Sequence, residues 1–419
     1  MSTFQRVKGT RDLLPPETAV WAAVEDAARR CFGRYGYHEI RTPILEPTEL
    51  FVRAVGEGTD VVGKEMYTFA DRKGRSVTMR PENTASVVRA YLENQLSALP
   101  APVKLFYIGP QFRYERPQKG RYRQFHQIGA ELLGDAGPWS DVELLAMLTC
   151  LLRELGFERP KVLLNTLGDD ASRAAWAAAL QAYLRPLADR LGADSRRRLE
   201  TNPLRILDTK IAEERELLSG APVLEDFLSE GSRAHFDGVC NGLRSLGIRY
   251  EIEPRLVRGL DYYTHTVFEI VAEGLGAQNA LCGGGRYDRL VEELGGAATP
   301  SLGFAIGLDR LIEVLPEAFR TRIGIAAPVM VAGAHGAGPL DVLTLAERLR
   351  GAGIATVAEL GGRSLKAAFK QAERLGCRHV VLLGADEIAA GQATLKDLER
   401  RDQERLDIGV VIERLTAGG

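Results

Sequence analysis

The stretch from Phe106 to Glu131, FYIGPQFRYERPQKGRYRQFHQIGAE, constrains the fold of this chain more than any other. Two segments of strand character flank Pro117-Gln118-Lys119-Gly120, whose proline and glycine predict a loop between them. Five of the eleven residues from Arg113 to Arg123 are basic: Arg113, Arg116, Lys119, Arg121 and Arg123. Side chains alternate along a strand, so Arg113 and Glu115 share one face, and beyond the loop Arg123, Phe125, Gln127 and Glu131 share one face too. With both faces turned the same way, one wall carries guanidiniums, a stacking aromatic, an amide and two carboxylates. Such a wall suits a nucleoside triphosphate at one end and a small cationic or hydrogen-bonding substrate at the other. The plainer alternative is a solvated hairpin with scattered charges. Buried-type residues interleaved with the charges weigh against it.

With 419 residues the chain can bury a large core, and it is long enough for two or more domains. Its 45% hydrophobic and 26% charged content is that of an ordinary globular protein. No apolar run approaches the roughly 20 residues of a membrane span. The opening MSTFQRVKGTRDLLPPE has no apolar signal-peptide region, so a cytoplasmic protein is expected. Five scattered cysteines without a CxxC pair, and six histidines without HExxH spacing, point to reduced thiols and no metal site. A net charge of −2 means that any nucleic-acid contact rests on local patches and on shape.

Read in order, the spacing predicts a helix from Thr18 to about Tyr35, then a strand from Tyr37 ending at Pro43. Met66–Phe69 and Val77–Pro81 pair around the turn Asp71–Gly74. Glu82-Asn83-Thr84 then opens a helix from about Ala85 to Asn94. A carboxylate and a hydroxyl there either cap the helix or receive a ligand ammonium. Ser140–Leu155 is an apolar helix, and Val162–Asn165 is a strand. From about 169 to 233 the chain turns Ala- and Arg-rich and reads as a helical insertion, whose basic face is either solvated or a nucleic-acid contact. Strands return at Tyr250–Glu253 and in the block LVRGLDYYTHTVFEI, Leu256–Ile270. Three glycines between Gln278 and Asp288 lack the GKS or GKT of a phosphate loop, and read as a close backbone approach to a small ligand. Ser301–Leu311 is a strand running into a helix. Beyond Pro328, strands at 328–333, 354–360, 379–384 and 392–396 alternate with helices around 339–350, 364–376 and 408–416.

Several of these blocks together resemble the class II aminoacyl-tRNA synthetases in their histidyl form. FRYERPQKGRYRQFHQIGAE resembles motif 2, and the helix and strand ending at Pro43 resemble motif 1. Ser301–Leu311, with Gly307 and Arg310, resembles motif 3. RPENTA is similar to the amino-acid-binding RPEGTA stretch, with Asn83 in place of the usual glycine. LVRGLDYY is similar to the histidine-specific block, although Thr264-His265 follows where Asn-Arg is common. The resemblance implies an α+β fold: an antiparallel sheet flanked by helices over residues 1–325, interrupted by the insertion at about 169–233. Residues 328–419 would then form an α/β anticodon-binding domain.

The same resemblance implies a homodimeric histidine–tRNA ligase that uses ATP with Mg2+, L-histidine and the tRNA for histidine, with no membrane partner. The alternative is a non-catalytic histidine-binding regulatory paralogue; such proteins usually lose motif 2, LVRGLDYY or the C-terminal domain, all present here. By position, Arg113 and Arg258 are the catalytic arginines. Arg113, Glu115, Arg121, Phe125 and Arg310 belong to the ATP site. Glu82, Thr84 and Gln127 hold the histidine amino end, with Asn83 among the histidine-binding residues. Neutral imidazole offers one donor and one acceptor. Glu131 is expected to accept from the donor, and Tyr263 or Tyr287 to donate to the other nitrogen, with Tyr262 among the histidine-binding side chains.

Overall fold

The computed structural model describes residues 4–116, 120–209, 211–271, 280–323 and 327–417. Of the expected loop at 117–120 only Gly120 falls among them, and Gln278 and Asn279 lie outside. The chain forms two compact units, Met1–Arg320 and Thr321–Gly419. No helix among the described residues is long and apolar enough to cross a membrane.

The first unit opens with α1 (Glu17–Arg34), β1 (His38–Glu39), β2 (Leu45–Pro47) and α2 (Thr48–Val55). β3 (Tyr67–Ala70), β4 (Ser76–Met79) and α3 (Thr84–Glu93) lead to the long strands β5 (Val103–Phe112) and β6 (Gln124–Leu133). α4 (Pro138–Glu154) and β7 (Lys161–Thr166) precede the helices α5 (Asp170–Leu184), α6 (Ala193–Thr201), α7 (Ala212–Leu217) and α8 (Glu230–Ser245). Then follow β8 (Tyr250–Ile252), β9 (Thr264–Val271), β10 (Ala280–Arg286), α9 (Leu290–Glu293), β11 (Ser301–Gly307), α10 (Leu308–Glu313) and α11 (Glu317–Arg320).

Among the described residues one sheet has the order β1-β5-β6-β11-β10-β9-β7-β8, and a smaller one the order β2-β4-β3. Only the outermost pairs of the large sheet, β1 with β5 and β7 with β8, are parallel. Alternation along the strands divides the apolar residues between two cores. Phe106, Ile128, Phe268 and Phe304 face α1, α4 and α8, meeting Phe32, Leu148 and Leu243. Tyr107, Leu133 and Val267 face the other way, toward Phe51 of α2 and Val88 of α3. Deleting a ring such as Phe268 from so closed a core costs about 3–5 kcal/mol.

The expected strand from Tyr37 to Pro43 shrinks to His38–Glu39. Beyond it the backbone is held by a side chain instead of a ladder. The Arg80 guanidinium donates to the carbonyls of Thr42 at 2.8 Å and Pro110 at 3.0 Å, and Pro43 has no N–H to give. The helices α5 to α7 share their own core of Leu180, Leu184, Leu199, Ile206 and Leu217. Asp169 caps α5 through Ser172 N at 2.8 Å, and its other oxygen accepts from Ser229 Oγ at 2.6 Å. One carboxylate thus fastens the beginning of this helical segment to its end.

The second unit is a five-stranded sheet of β12 (Val329–Gly333), β13 (Thr356–Glu359), β14 (His379–Leu383), β15 (Gln392–Asp397) and β16 (Gln403–Asp407). Their order is β13-β12-β14-β15-β16, parallel across the first three strands and antiparallel thereafter. The helices α12 (Pro339–Gly351), α13 (Leu365–Arg374), α14 (Ala385–Ala390) and α15 (Ile408–Ala417) complete it. Val331 and Val381 pack with Leu345 and Val411, while Met330 and Val380 pack with Ala368 and Ala372 of α13.

Candidate active site

A cavity of about 290 Å³ opens on the α2–α3 face of the large sheet. Tyr107 and Gly109 of β5 stand opposite Gly129 and Gln127 of β6, with Glu131 one step further along β6. β11 brings Gly303 beside Glu131, and β10 brings Gly283 beside Glu269 of β9. The floor is made of small residues because charged side chains lie flat across it. A Cβ at Gly303 would stand 1.7 Å from Glu131 Oε2, and one at Gly283 would stand 2.1 Å from the Arg258 guanidinium. The sequence reading assigns the three glycines of β10 to a ligand's approach. In the structure Gly283 does line the cavity, and protein groups crowd all three: Arg258 at Gly283, Phe268 at Gly284 and Tyr263 at Gly285.

One end of the cavity is rich in carboxylates and hydroxyls. Glu82 accepts from the backbone N–H groups of Thr84 at 2.7 Å and Ala85 at 2.9 Å, so it caps α3 while still lining the cavity. Burial raises its pKa, and those two amides oppose the rise. Glu131 is 1% exposed; Thr84 Oγ1 donates to its Oε1 at 2.8 Å and Tyr287 OH to its Oε2 at 2.5 Å. Burial pushes Glu131 up to about 8, against the pull of those two hydroxyls and with the push of neighbouring Glu82. Burial first, then the Glu131 charge, raises Tyr287 well above the phenol range, so it stays a donor. Tyr262 packs at 4.7 Å from the Tyr263 ring and edge-on to Tyr287 at 5.7 Å, and all three line the cavity.

The other end is cationic. Arg113 donates to Pro81 O at 2.8 Å and lies 5.5 Å over the Phe125 ring. Arg121 pairs with Glu115 at 2.8 Å, while Arg113 stands 3.9 Å from the same carboxylate. Arg310 donates to Ala280 O at 2.9 Å and to Gly120 O at 3.4 Å. Its pKa is lowered by burial first, then by Arg121 and, less strongly, Arg113, with Glu115 opposing. Three guanidiniums around one carboxylate form a site arranged for anions. Between the ends lies Arg258, paired with Glu269. Burial works against its charge, yet the Glu269 carboxylate prevails and the pKa rises.

Glu82, Thr84, Arg113, Glu115, Arg121, Phe125, Gln127, Arg258, Tyr262, Tyr263, Tyr287 and Arg310 therefore line one cavity. Two expected residues stand behind its surface. Asn83 turns away, its Oδ1 accepting from Thr42 Oγ1 at 2.8 Å, and both Glu131 oxygens are covered as described. Arg123 leaves the expected wall altogether: it stacks 3.7 Å over Tyr114 and donates to Glu115 O at 3.3 Å. β5 and β6 end at Phe112 and Gln124, so strand alternation does not govern Arg113 to Arg123. Sequence reasoning misses Tyr107, Tyr122, His126, Glu269 and Asp309, which also line the cavity. Glu269 was within reach, two positions beyond Val267 in a strand whose alternate residues are apolar. Asp309 fixes the site's frame by accepting from His126 N at 2.8 Å and Arg11 Nη2 at 3.0 Å.

Among the described residues no group of three or more His, Cys, Asp or Glu side chains is placed to hold a metal ion. Beside the cavity runs a second cleft of about 710 Å³ that shares Arg113, Arg121 and Arg258 and adds Arg173, Arg198, Arg205 and Arg289.

Known proteins resemble this chain along most of its length. The family model described as "Histidyl-tRNA synthetase" matches residues 9–311, and one described as "Anticodon binding domain" matches residues 333–417. The "Histidine--tRNA ligase" of Synechococcus elongatus is 49% identical over 97% of this chain and 93% of its own length. The "Histidine--tRNA ligase" of Desulforudis audaxviator is 48% identical over 98% of each chain. The crystal structure of apo S. aureus histidyl-tRNA synthetase superposes with a TM-score of 0.84 at 35% identity, covering 99% of this chain and all of that one. Identity of that order, sustained from end to end of both chains, means that this chain belongs to the histidyl-tRNA synthetase family.

Proposed function

We infer that this chain is a histidine–tRNA ligase: it joins L-histidine to ATP as histidyl-adenylate, releasing pyrophosphate, and then passes the histidyl group to the 3′ end of its tRNA. One observation carries the reading. A single cavity has an arginine-lined end and a carboxylate-and-tyrosine end, with Arg258 between them. A histidine-binding regulatory protein would have no use for the arginine end.

In the first step a histidine carboxylate oxygen attacks the α-phosphorus of ATP, and the bond to the β-phosphate oxygen breaks. Anion meets anion, so fixed positive charge and alignment do most of the work. Arg113 holds the α-phosphate and the histidine carboxylate. Arg258, braced by Glu269, takes up charge as it grows on the α-phosphoryl oxygens. Arg121 and Arg310 hold the outer phosphates, Phe125 and Arg310 flank adenine, and Glu115 reads its amino edge. Magnesium would come with the nucleotide as MgATP and would supply positive charge to its phosphates.

Glu82, Thr84 and Gln127 receive the ammonium; the Gln127 Oε1 atom is buried and has no hydrogen-bond partner of its own. The tyrosine cluster and Glu131 meet the imidazole. With both oxygens of Glu131 engaged, its exchange of partners on substrate entry is part of recognition. The unit Thr321–Gly419 serves the anticodon, and the arginine-rich second cleft is the approach for the tRNA 3′ end. Leu45, 49% exposed, and Phe69, 47% exposed, share the apolar outer face of the β2-β4-β3 sheet, which supports a homodimer. The work belongs in the cytoplasm, where tRNA is charged. Incubation with ATP, unfractionated tRNA and labelled histidine tests the reading: label should become acid-precipitable with histidine alone among the amino acids. Failure to charge any tRNA with histidine would contradict it.

A further inference from the structure

Tyr107 is 3% exposed on β5 and lines the cavity, and its hydroxyl lies close to Thr84 and Glu131 without a well-formed hydrogen bond to either. The strand register sets its place. Tyr107 pairs with Gly129, between Gln127 and Glu131 on the inner face of β6. Gly129 makes room for it, since a Cβ there would stand 2.3 Å from the Tyr107 oxygen and 2.8 Å from Phe304 O. The ring therefore lies across β6 with its hydroxyl in the row of groups assigned to histidine. Its polar neighbours Glu131 and Thr84 are already joined to each other at 2.8 Å, and the second Glu131 oxygen holds Tyr287. A phenylalanine would fill the same apolar space beside Val87 and Val88 without burying an unmet hydroxyl. A buried polar group without a partner is costly, and its retention in a cavity marks a place that a ligand completes.

We propose that Tyr107 is a further specificity-determining residue, whose hydroxyl becomes partnered when the imidazole enters beside Glu131. This rests on the assignment of the cavity's carboxylate end to histidine.

The test is Tyr107→Phe, with pyrophosphate exchange and inhibition by histidinol, which keeps the imidazole and ammonium but lacks the carboxylate. The KM for histidine and the inhibition constant of histidinol should both rise about tenfold, the worth of one neutral hydrogen bond. The KM for ATP and the kcat should stay within about threefold. Without ligands the variant should melt no lower than the native chain, because it loses no well-formed bond. Four results would each overturn the proposal: an unchanged histidine KM, a histidinol constant that does not move, an ATP KM that rises in step, or a lower melting temperature, which would mean that the hydroxyl is partnered in the free protein. Failure of the histidine assignment itself is separately visible, as native exchange that does not depend on histidine.

Discussion

Arg258 and Glu131 both lie across a glycine, yet their surroundings treat them oppositely. Glu269 keeps Arg258 charged, whereas Glu131 has only hydroxyl partners and a second carboxylate nearby. Arg258→Ala should lower kcat for adenylate formation by about 10²-fold or more while histidine binding survives better. Near-normal single-turnover adenylation would remove Arg258 from that role. Gly283→Ala, whose methyl would occupy the guanidinium's place, should reduce exchange about tenfold without unfolding the chain; unchanged exchange would mean that Arg258 need not lie there. For Glu131 the sign follows from a folded pKa of about 8 against an ordinary 4.5. Folding takes up a proton between those values, so the favourable contribution is complete below 4.5 and is lost as pH rises through about 8. Melting temperature should therefore fall across that range, and Glu131→Gln should flatten the fall; parallel profiles for the two proteins would contradict it. At this scale the sequence was most legible where a side chain reaches the cavity from a strand or a helix start, as with Gln127, Glu82 and Arg310. It was least legible for Arg123 and Tyr107. Arg123 lies beyond the strand ends, and the room for Tyr107 is made by a glycine on another strand.

Elements with apolar periodicity were readable, and those without it were not. α1, α4 and the hairpin strands carry their cores in their spacing. β16, Gln403-Glu-Arg-Leu-Asp, is an edge strand whose charged, exposed side chains leave no alternation to read. The strand expected at 37–43 failed for the opposite reason: its pattern is extended, but Arg80 replaces the sheet partner, which no local pattern reveals. Glycines 283 to 285 were read as a close backbone approach to a small ligand; they lie inside β10, where large side chains from β9, β11 and the LVRGLDYY segment also need the space. The small β2-β4-β3 sheet carries a prediction of its own. Its inner face is polar, with Thr68 and Thr78 hydroxyls 2.8 Å apart and Glu46 paired to Arg89, while Leu45 and Phe69 look outward. Phe69→Lys should weaken self-association about tenfold or more without lowering the melting temperature of the monomer. Sedimentation velocity over a dilution series reads this, and an unshifted dimer would exclude this face from the interface.

At the scale of the whole molecule, the described residues that line the cavity belong to the unit Met1–Arg320. A fragment of residues 1–325 should keep part of its histidine-dependent exchange while losing much more of its tRNA charging, mostly as a raised KM for tRNA. A folded, dimeric fragment that charges tRNA as well as the full chain would contradict an anticodon role for the second unit. The α/β alternation beyond Pro328 made that unit legible as a separate sheet; its role rests on likeness to the anticodon-binding family, because its residues carry no chemistry of their own as plain as the arginine cavity. The central claim is that the cavity is built for one amino acid and one nucleotide together, and ATP–pyrophosphate exchange with each of the twenty amino acids tests it most directly. Well-made sites of this kind reject ligands lacking the matching polar groups by about 10⁴–10⁵-fold. The account predicts exchange with histidine alone, dependent on magnesium and independent of tRNA. Exchange of equal rate with any other amino acid, or none with histidine, would contradict it.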